Sequence, residues 1–271
     1  MIGRAIDYAY GWTPAHTATF KRAGVRVVLR YVGIPSNPKC IGPAELRSLQ
    51  AAGLGTGFVY ESTALWMLGG ATAGAGAAHR SIDYLTKVGG PARPFLYLAA
   101  DFDVSPSQMG AVLDCLRGAA QVLGAGNVGI YGGLNACSAA LARKLAAKAW
   151  QTVAWSHGVT EFRACLRQVL GQRWGNLGLA YDTDEMYAAN VGQWPAPAPH
   201  PAERVTMCVP LAVYRWRILW NAAYPLATRW RCPPSFTPTD NRVKLAVPVP
   251  VLASAGAWAR GFNSRESWRV P

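Results

Sequence analysis

The chain lacks any uninterrupted apolar run of about 18 residues, the length a membrane-spanning helix needs. Its N-terminus, MIGRAIDYAYGW, has no long apolar signal core and leads directly into a strand. Action outside the cytoplasm would then proceed without an evident signal peptide. No two of the six cysteines form CxxC, and none lies near a histidine at metal-ligand spacing. Zinc and other metals are not expected, and no cofactor is called for. Cys115 and Cys165 lie in apolar patterns that suit core thiols, and no disulfide is predicted. The four histidines, His16, His79, His157 and His200, are scattered. GxSxG, P-loop and HExxH patterns are absent, which removes support for those chemistries. Acid is also scarce, with 14 Asp+Glu against 27 Lys+Arg. The position of each acid is therefore informative.

What the chain does have is alternation. RAIDYA, VRVVLRYV, LGTGFVYE, FLYLAAD, NVGIYGG, WQTVAW and LGLAYDTD read as strands. Between them lie helix-like stretches. One starts at Thr13 as N-cap with Pro14 behind it, a second at Gly42 with Pro43 behind it, and a third at Ser105 with Pro106 behind it. ATAGAGAAHRSIDYLTKVGG reads as a helix weakened by glycine, and TEFRACLRQVLGQ reads as either a short helix or a seventh strand. The strands are apolar throughout, as parallel strands covered on both faces are. The rhythm predicts an α/β fold, a small (β/α) TIM-type barrel over residues 1–194.

The scarce acids close these strands. Asp7 ends RAID, Glu61 ends GFVYE, Asp101 and Asp103 end FLYLAADFD, and Asp182 and Asp184 end LGLAYDTD. Strand ends of a parallel barrel meet at one face, where active sites of that fold lie. A doubly wound open sheet would instead bind at one switch point. Glycosidic hydrolysis needs a proton donor and a second carboxylate, and such a face supplies both. Glu61 and the Asp101/Asp103 pair are the leading catalytic candidates, with strand alternation pointing the two aspartates to one side. Asp7 and Asp182 would orient substrate or tune the acid, because first and last strands are neighbours in a closed barrel. Tyr8, Tyr60, Tyr131 and Trp155 are candidates for stacking on sugars, with Gln168 and Asp184 as polar contacts. Phe102 and Tyr181 fit core packing better, and Gln151 is a polar residue inside an apolar strand.

After NVGQWPAPAPHP the composition changes. Residues 195–203 read as a proline-rich linker and 204–271 as a basic tail rich in Trp, Arg and Pro. Residues 1–200 carry a net charge of +6, and residues 201–271 carry +7. Trp216, Trp220, Trp230, Trp258 and Trp268 lie in the tail. Three readings of it stay open: a small wall-binding module for sugars or anionic polymers, a poorly ordered segment, and out-of-frame translation of GC-rich DNA. Basic charge also suits nucleic acid, but no nucleic-acid-binding fold is present and no nucleic acid partner is expected.

The succession AIDYAYG, VRVVLRYV, ELRSLQAAGL, FVYES, YLAADFD, VGIYGG, WQTVAWS, LRQ and YDTDEM resembles the glycoside-hydrolase-like barrel domain of actinobacteria and their phages. That domain is similar to the family 25 lysozyme-like muramidases. The resemblance covers about positions 3–194. It implies a β/α barrel acting on peptidoglycan glycan strands, in a wall-associated protein or a phage or prophage lysin. It also implies that Asp103 stands where the family's DxE motif has its acidic Glu, one methylene shorter, with Glu61 available to compensate. Asp7 and Asp182 match the family's first-strand and last-strand aspartates. A barrel that binds walls or serves a virion without cutting glycan is the alternative.

Overall fold

A computed structural model describes residues 1–173 and 179–195, with side chains for 1–169 and 179–195, and the backbone of two further strands. The chain divides into two compact units, Met1–Pro197 and Ala198–Pro271. In the second unit, Arg204–Pro210 and Arg242–Pro248 pair antiparallel. The expectations for the five tail tryptophans and for prolines 197–201 lie outside the described residues.

The first unit is a closed barrel of eight strands, as the alternating pattern predicts. These are β1 (Gly3–Asp7), β2 (Val25–Tyr31), β3 (Gly55–Tyr60), β4 (Leu96–Ala99), β5 (Val128–Gly132), β6 (Lys148–Thr152), β7 (Leu166–Arg173) and β8 (Ala180–Met186). Helices α1 (Pro14–Arg22), α2 (Pro43–Ala51), α3 (Gly70–Val88), α4 (Met109–Leu123) and α5 (Leu134–Ala142) follow the first five strands in turn. Thr13 caps α1 and Pro14 opens it, as its sequence predicts. The α4 start differs. Ser105 begins a turn, its N–H and hydroxyl both bonded to Gln108 Oε1, and the helix proper starts at Met109. The ambiguous TEFRACLRQVLGQ resolves as loop plus β7.

The parallel arrangement holds for β1 through β7 only. β8 runs antiparallel to both neighbours, β7 and β1. The pairing register sets Asp182 opposite Asp7 and Asp184 opposite Ala5. The sequence reading has the last strand ending at Asp184. In the structure it continues to Met186 in the reverse direction. Asp182 is at the same end of the barrel as Asp7 because it lies in the first half of a reversed strand.

Period-two alternation sorts the side chains into two apolar clusters. Ala5, Val27, Leu29, Val59, Tyr97, Tyr131, Trp150, Leu166 and Met186 fill the barrel interior. Ile6, Val28, Phe58, Leu98 and Ile130 point outward and pack with Phe20, Leu46, Leu85 and Leu116 of the helices. The bottom is stoppered by the segment after β8. Val191 belongs to the interior cluster, and its carbonyl accepts a 2.7 Å hydrogen bond from Tyr97 Oη. Cys40, Cys115, Cys137 and Cys165 are free thiols. No helix among the described residues is long and apolar enough to cross a membrane.

The glycines that weaken α3 by propensity have a packing reason. A Cβ on Gly74 would lie 1.8 Å from the Cys115 carbonyl oxygen, and one on Gly118 would lie 1.9 Å from that of Ala71. The α3 and α4 backbones therefore touch where a side chain has no room. In a free helix Gly→Ala stabilises by about 1 kcal/mol. Here overpacking against backbone outweighs that gain. Gly74→Ala and Gly118→Ala are each expected to destabilise the barrel by roughly 2–3 kcal/mol. Urea titration followed by circular dichroism checks this, and a stabilised variant at either position refutes the close approach.

Candidate active site

The open end of the barrel collects inward-facing polar side chains just beyond the apolar interior. Asp7 continues the inward face of Ala5 and Tyr31 that of Leu29, while Glu61 and Asp101 lie just past the ends of β3 and β4, both acting on the Tyr31 hydroxyl. Gln168 and Asp184 continue the inward faces of β7 and β8. All come from the end where the parallel strands finish and β8 begins. Among the described residues, no group of three or more His, Cys, Asp and Glu is arranged to hold a metal ion.

The innermost layer is a closed hydrogen-bond network. Tyr131 Oη donates to Gln168 Oε1 at 2.7 Å, and Gln168 Nε2 donates to Asp7 Oδ2 at 2.7 Å. Trp150 Nε1 donates to Asp184 Oδ1 at 2.7 Å. Asp184 is fully buried, and its Oδ2 meets no donor among the described groups. Asp7 faces it and is also buried. Two carboxylates cannot both ionise at such a spot. A single proton held between them satisfies the orphaned oxygen. Burial pushes Asp7 up to about 7; the Gln168 amide opposes this and the Asp182 charge reinforces it. Burial, then the negative charge of Asp7, push Asp184 well above the usual carboxylate range, while the Trp150 N–H pulls it back. Asp182 lies half-buried above this pair.

Nearer solvent stand Glu61 and Asp101, both half-buried. Burial raises Glu61; Lys39 opposes that rise and Asp101 adds to it. Burial likewise raises Asp101, with Lys39 opposing. Lys39 Nζ lies 3.6 Å from Glu61 Oε1 and 5.1 Å above the Tyr31 ring. The Tyr31 hydroxyl, raised first by burial, also senses Asp7, Glu61 and Asp101, so these acids surround it.

Four sequence expectations find a different setting. β4 stops at Ala99, so Asp101 and Asp103 do not alternate along a strand. Asp101 stays at the mouth, whereas Asp103 is exposed on the following loop. Tyr8 and Tyr60 carry the outward parity of Ile6 and Phe58, so both lie behind the barrel wall. Tyr8 donates to Glu45 Oε1 at 2.5 Å beneath the Arg30 guanidinium. Tyr60 accepts from Arg80 Nε at 3.0 Å and packs edge-on against Trp66. Neither reaches the mouth, because the step of one residue past an inward position turns a side chain to the helices. Trp155 lies in the loop after β6, half-buried, with a backbone φ of 53°. Gln151 also faces outward; its amide donates to Val159 O and its Oε1 accepts from Glu161 N, which ties that loop down. Sequence reasoning missed Tyr31, Lys39 and Trp150. Parity would have found Tyr31 and Trp150, but no local signal marks Lys39. A groove of 880 Å³ between α4 and α5, lined by Met109, Leu113, Arg117, Ser138 and Arg143, shares no residue with the mouth.

A closed barrel with carboxyl groups gathered at one open end defines the class of glycoside hydrolase-like barrels. Residues 18–204 match the family "Rv2525c-like, glycoside hydrolase-like domain", and the chain belongs to that family. It is 30% identical over 206 residues to the Mycobacterium tuberculosis protein named "Putative peptidoglycan hydrolase Rv2525c", covering 71% of this chain and 84% of that one. The crystal structure of the Mycobacterium tuberculosis Tat-secreted protein Rv2525c in complex with HEPES superimposes with a TM-score of 0.64 at 29% identity, over 72% of this chain and all of that one. An uncharacterized B. stearothermophilus protein shares the fold, with a TM-score of 0.50 and 14% identity over 68% of this chain and 95% of that one.

The buried pair has a consequence for stability. In the unfolded chain an aspartate ionises near pH 4, whereas Asp7 in the fold ionises at about 7. Between those values the folded state holds more protons, so stability falls as pH rises through that window. Below it the pair is harmless. Asp184→Asn supplies an amide donor in place of the shared proton. That variant is expected to be more stable than the unmodified protein by roughly 1–3 kcal/mol at pH 8 and nearly equal to it at pH 4. Thermal melts at the two pH values measure this; a difference that does not change with pH sinks the shared-proton assignment.

Proposed function

We propose that the chain is a glycoside hydrolase that cleaves peptidoglycan glycan strands at the open end of its barrel. One observation carries the reading: Asp7, Glu61, Asp101, Asp182 and Asp184 converge there in two layers of different burial. Hydrolysis of a glycosidic bond needs two carboxyl groups in different protonation states, one to protonate the leaving oxygen and one to meet the oxocarbenium-like centre or activate water. Asp101 is the proposed acid. Glu61, beside Lys39, is the proposed ionised partner. The resemblance gives the acid role to Asp103, but Asp103 is exposed on the loop beyond the end of β4. Asp7, Asp184 and Gln168 form the polar floor, Asp182 stands above them, and Tyr31, Tyr131 and Trp155 are candidates to line the sugar path.

The relative's name supports peptidoglycan as substrate, and its Tat secretion supports action outside the cytoplasm. A phage or prophage lysin, or a tail-associated one, is a narrower setting that rests on the sequence resemblance. Retention on anionic wall polymers through the basic residues of 204–271 belongs to the same proposal, as does the division into barrel, linker and tail.

One observation favours a second reading, a barrel that binds walls without cutting them. The position matching the family's acidic Glu holds an Asp that stands exposed on a loop.

Reducing-end release from purified peptidoglycan separates the two. Asp101→Asn and Glu61→Gln are each expected to lower release by roughly 100-fold or more, the scale of a lost acid or base. Asp103→Asn is expected to keep most of it. Wall binding by the unmodified chain without release of reducing ends selects the second reading.

A further inference from the structure

The mouth is acidic, yet a lysine reaches into it. Lys39 sits on the loop between β2 and α2, and that loop is clipped in place on both sides of it. Asn37 Oδ1 accepts from the Lys39 N–H at 3.0 Å, and the Asn37 N–H is bonded to Ile34 O at 2.9 Å. Cys40 pairs back to Tyr31, and the Ile41 N–H bonds to Tyr31 O at 2.9 Å. Tyr84 Oη, from α3, donates to Ile41 O at 2.7 Å. The loop therefore returns to the strand it left, with Lys39 above the Tyr31 ring and its Nζ 3.6 Å from Glu61 Oε1. Its side chain is 30% exposed and that of Glu61 15%, so water screens the pair only in part.

The groups facing Glu61 come from three elements. Lys39 comes from the β2–α2 loop, Tyr31 from β2, and Asp101 from the loop after β4. Arg30, the next cation along β2, points behind the wall and is bound to Glu45 at 2.6 Å. Lys39 is thus the cation that contacts a mouth carboxylate among the described residues. Its ammonium group meets Glu61 directly, and the structure gives Asp101 no comparable contact with it.

We infer that Lys39 is a positioning residue, which holds Glu61 as the ionised member of the outer pair and leaves Asp101 as the proton carrier. The assignment rests on the proposed function for its catalytic meaning, but the Lys39–Glu61 coupling can be tested without turnover. A lysine that only braced its loop would leave the charge state of Glu61 unchanged when its ammonium group was removed.

The experiment uses the full chain and three variants, Lys39→Met, Lys39→Arg and Glu61→Gln. Carbon-13 NMR of glutamate-labelled protein follows the Glu61 carboxyl against pH, with Glu61→Gln supplying the resonance assignment. In Lys39→Met the Glu61 midpoint is expected to move upward, and in Lys39→Arg to stay near that of the unmodified chain. The acidic limb of the kcat/KM profile on peptidoglycan is expected to move up by about one pH unit in Lys39→Met and to be restored by Lys39→Arg. An unmoved Glu61 midpoint in a folded Lys39→Met overturns the inference. If Lys39→Met fails to fold, the test passes to the unmodified chain, where a Glu61 midpoint insensitive to added salt overturns it. A chain that releases no reducing ends overturns the proposed function but not the coupling, because the NMR midpoint still reads it.

Discussion

The barrel closes through an antiparallel seam, with Asp182 of β8 opposite Asp7 of β1. A parallel eighth strand would need a crossover of a dozen residues or more to return the chain to the bottom. The reversed strand needs only the link between Arg173 and Ala180. That economy lets eight strands close within about 190 residues, below the usual size of this fold. It also inverts the depth order. In a parallel strand the last residue is the highest, whereas in β8 the first is. Asp182 therefore stands at the rim and Asp184 two residues lower, inside the barrel and against Asp7. The depth of Asp184 beneath Asp182 follows from this reversal.

Burial separates the chemistry of the layers. The lower carboxyl groups have a tyrosine–glutamine chain on one side and an indole N–H on the other. These donors fix orientation but do not supply enough positive charge for two anions. A shared proton is the cheaper solution, and the strain it leaves above neutral pH resembles what active sites commonly store. The upper pair is half-buried, with Lys39 in contact with Glu61. Its protonation can therefore respond when a substrate displaces solvent, since desolvation strengthens both the repulsion between Glu61 and Asp101 and the attraction to Lys39.

Much of the fold was legible because apolar runs of strand length alternate with helix-like stretches, and within each strand the side chains then alternate between the two faces. Ala5–Asp7 and Leu29–Tyr31 carry the interior face straight into the mouth. The same rule, applied one residue further, sends Tyr8 and Tyr60 to the helices. Their aromatic character suggested sugar stacking, but parity decides which side of the wall a side chain occupies. Asp103 misled for a related reason. Alternation was extended past Ala99, where the strand has already ended, so its periodicity no longer applies. The direction of β8 was not legible, because apolar-then-acidic text reads alike in either direction. Lys39 had no signal at all: its place depends on the Asn37 and Tyr31 clips of a loop whose ends are far apart in local pattern.

The closed bottom gives the mouth its meaning. Val191 occupies the interior beneath Tyr97, and a Cβ on Gly192 would lie 2.3 Å from the Phe95 ring, so this segment is seated tightly. Among the described residues, Tyr97, Tyr131 and Trp150 fill the interior above that segment. Under the proposed function, a glycan strand would meet the carboxyl groups across this open end. The β6–β7 loop, held by Gln151 and by the Ser138–Glu161–Arg163 cluster, forms one bank of the open end. The Lys39 loop, clipped to Tyr31, forms a second.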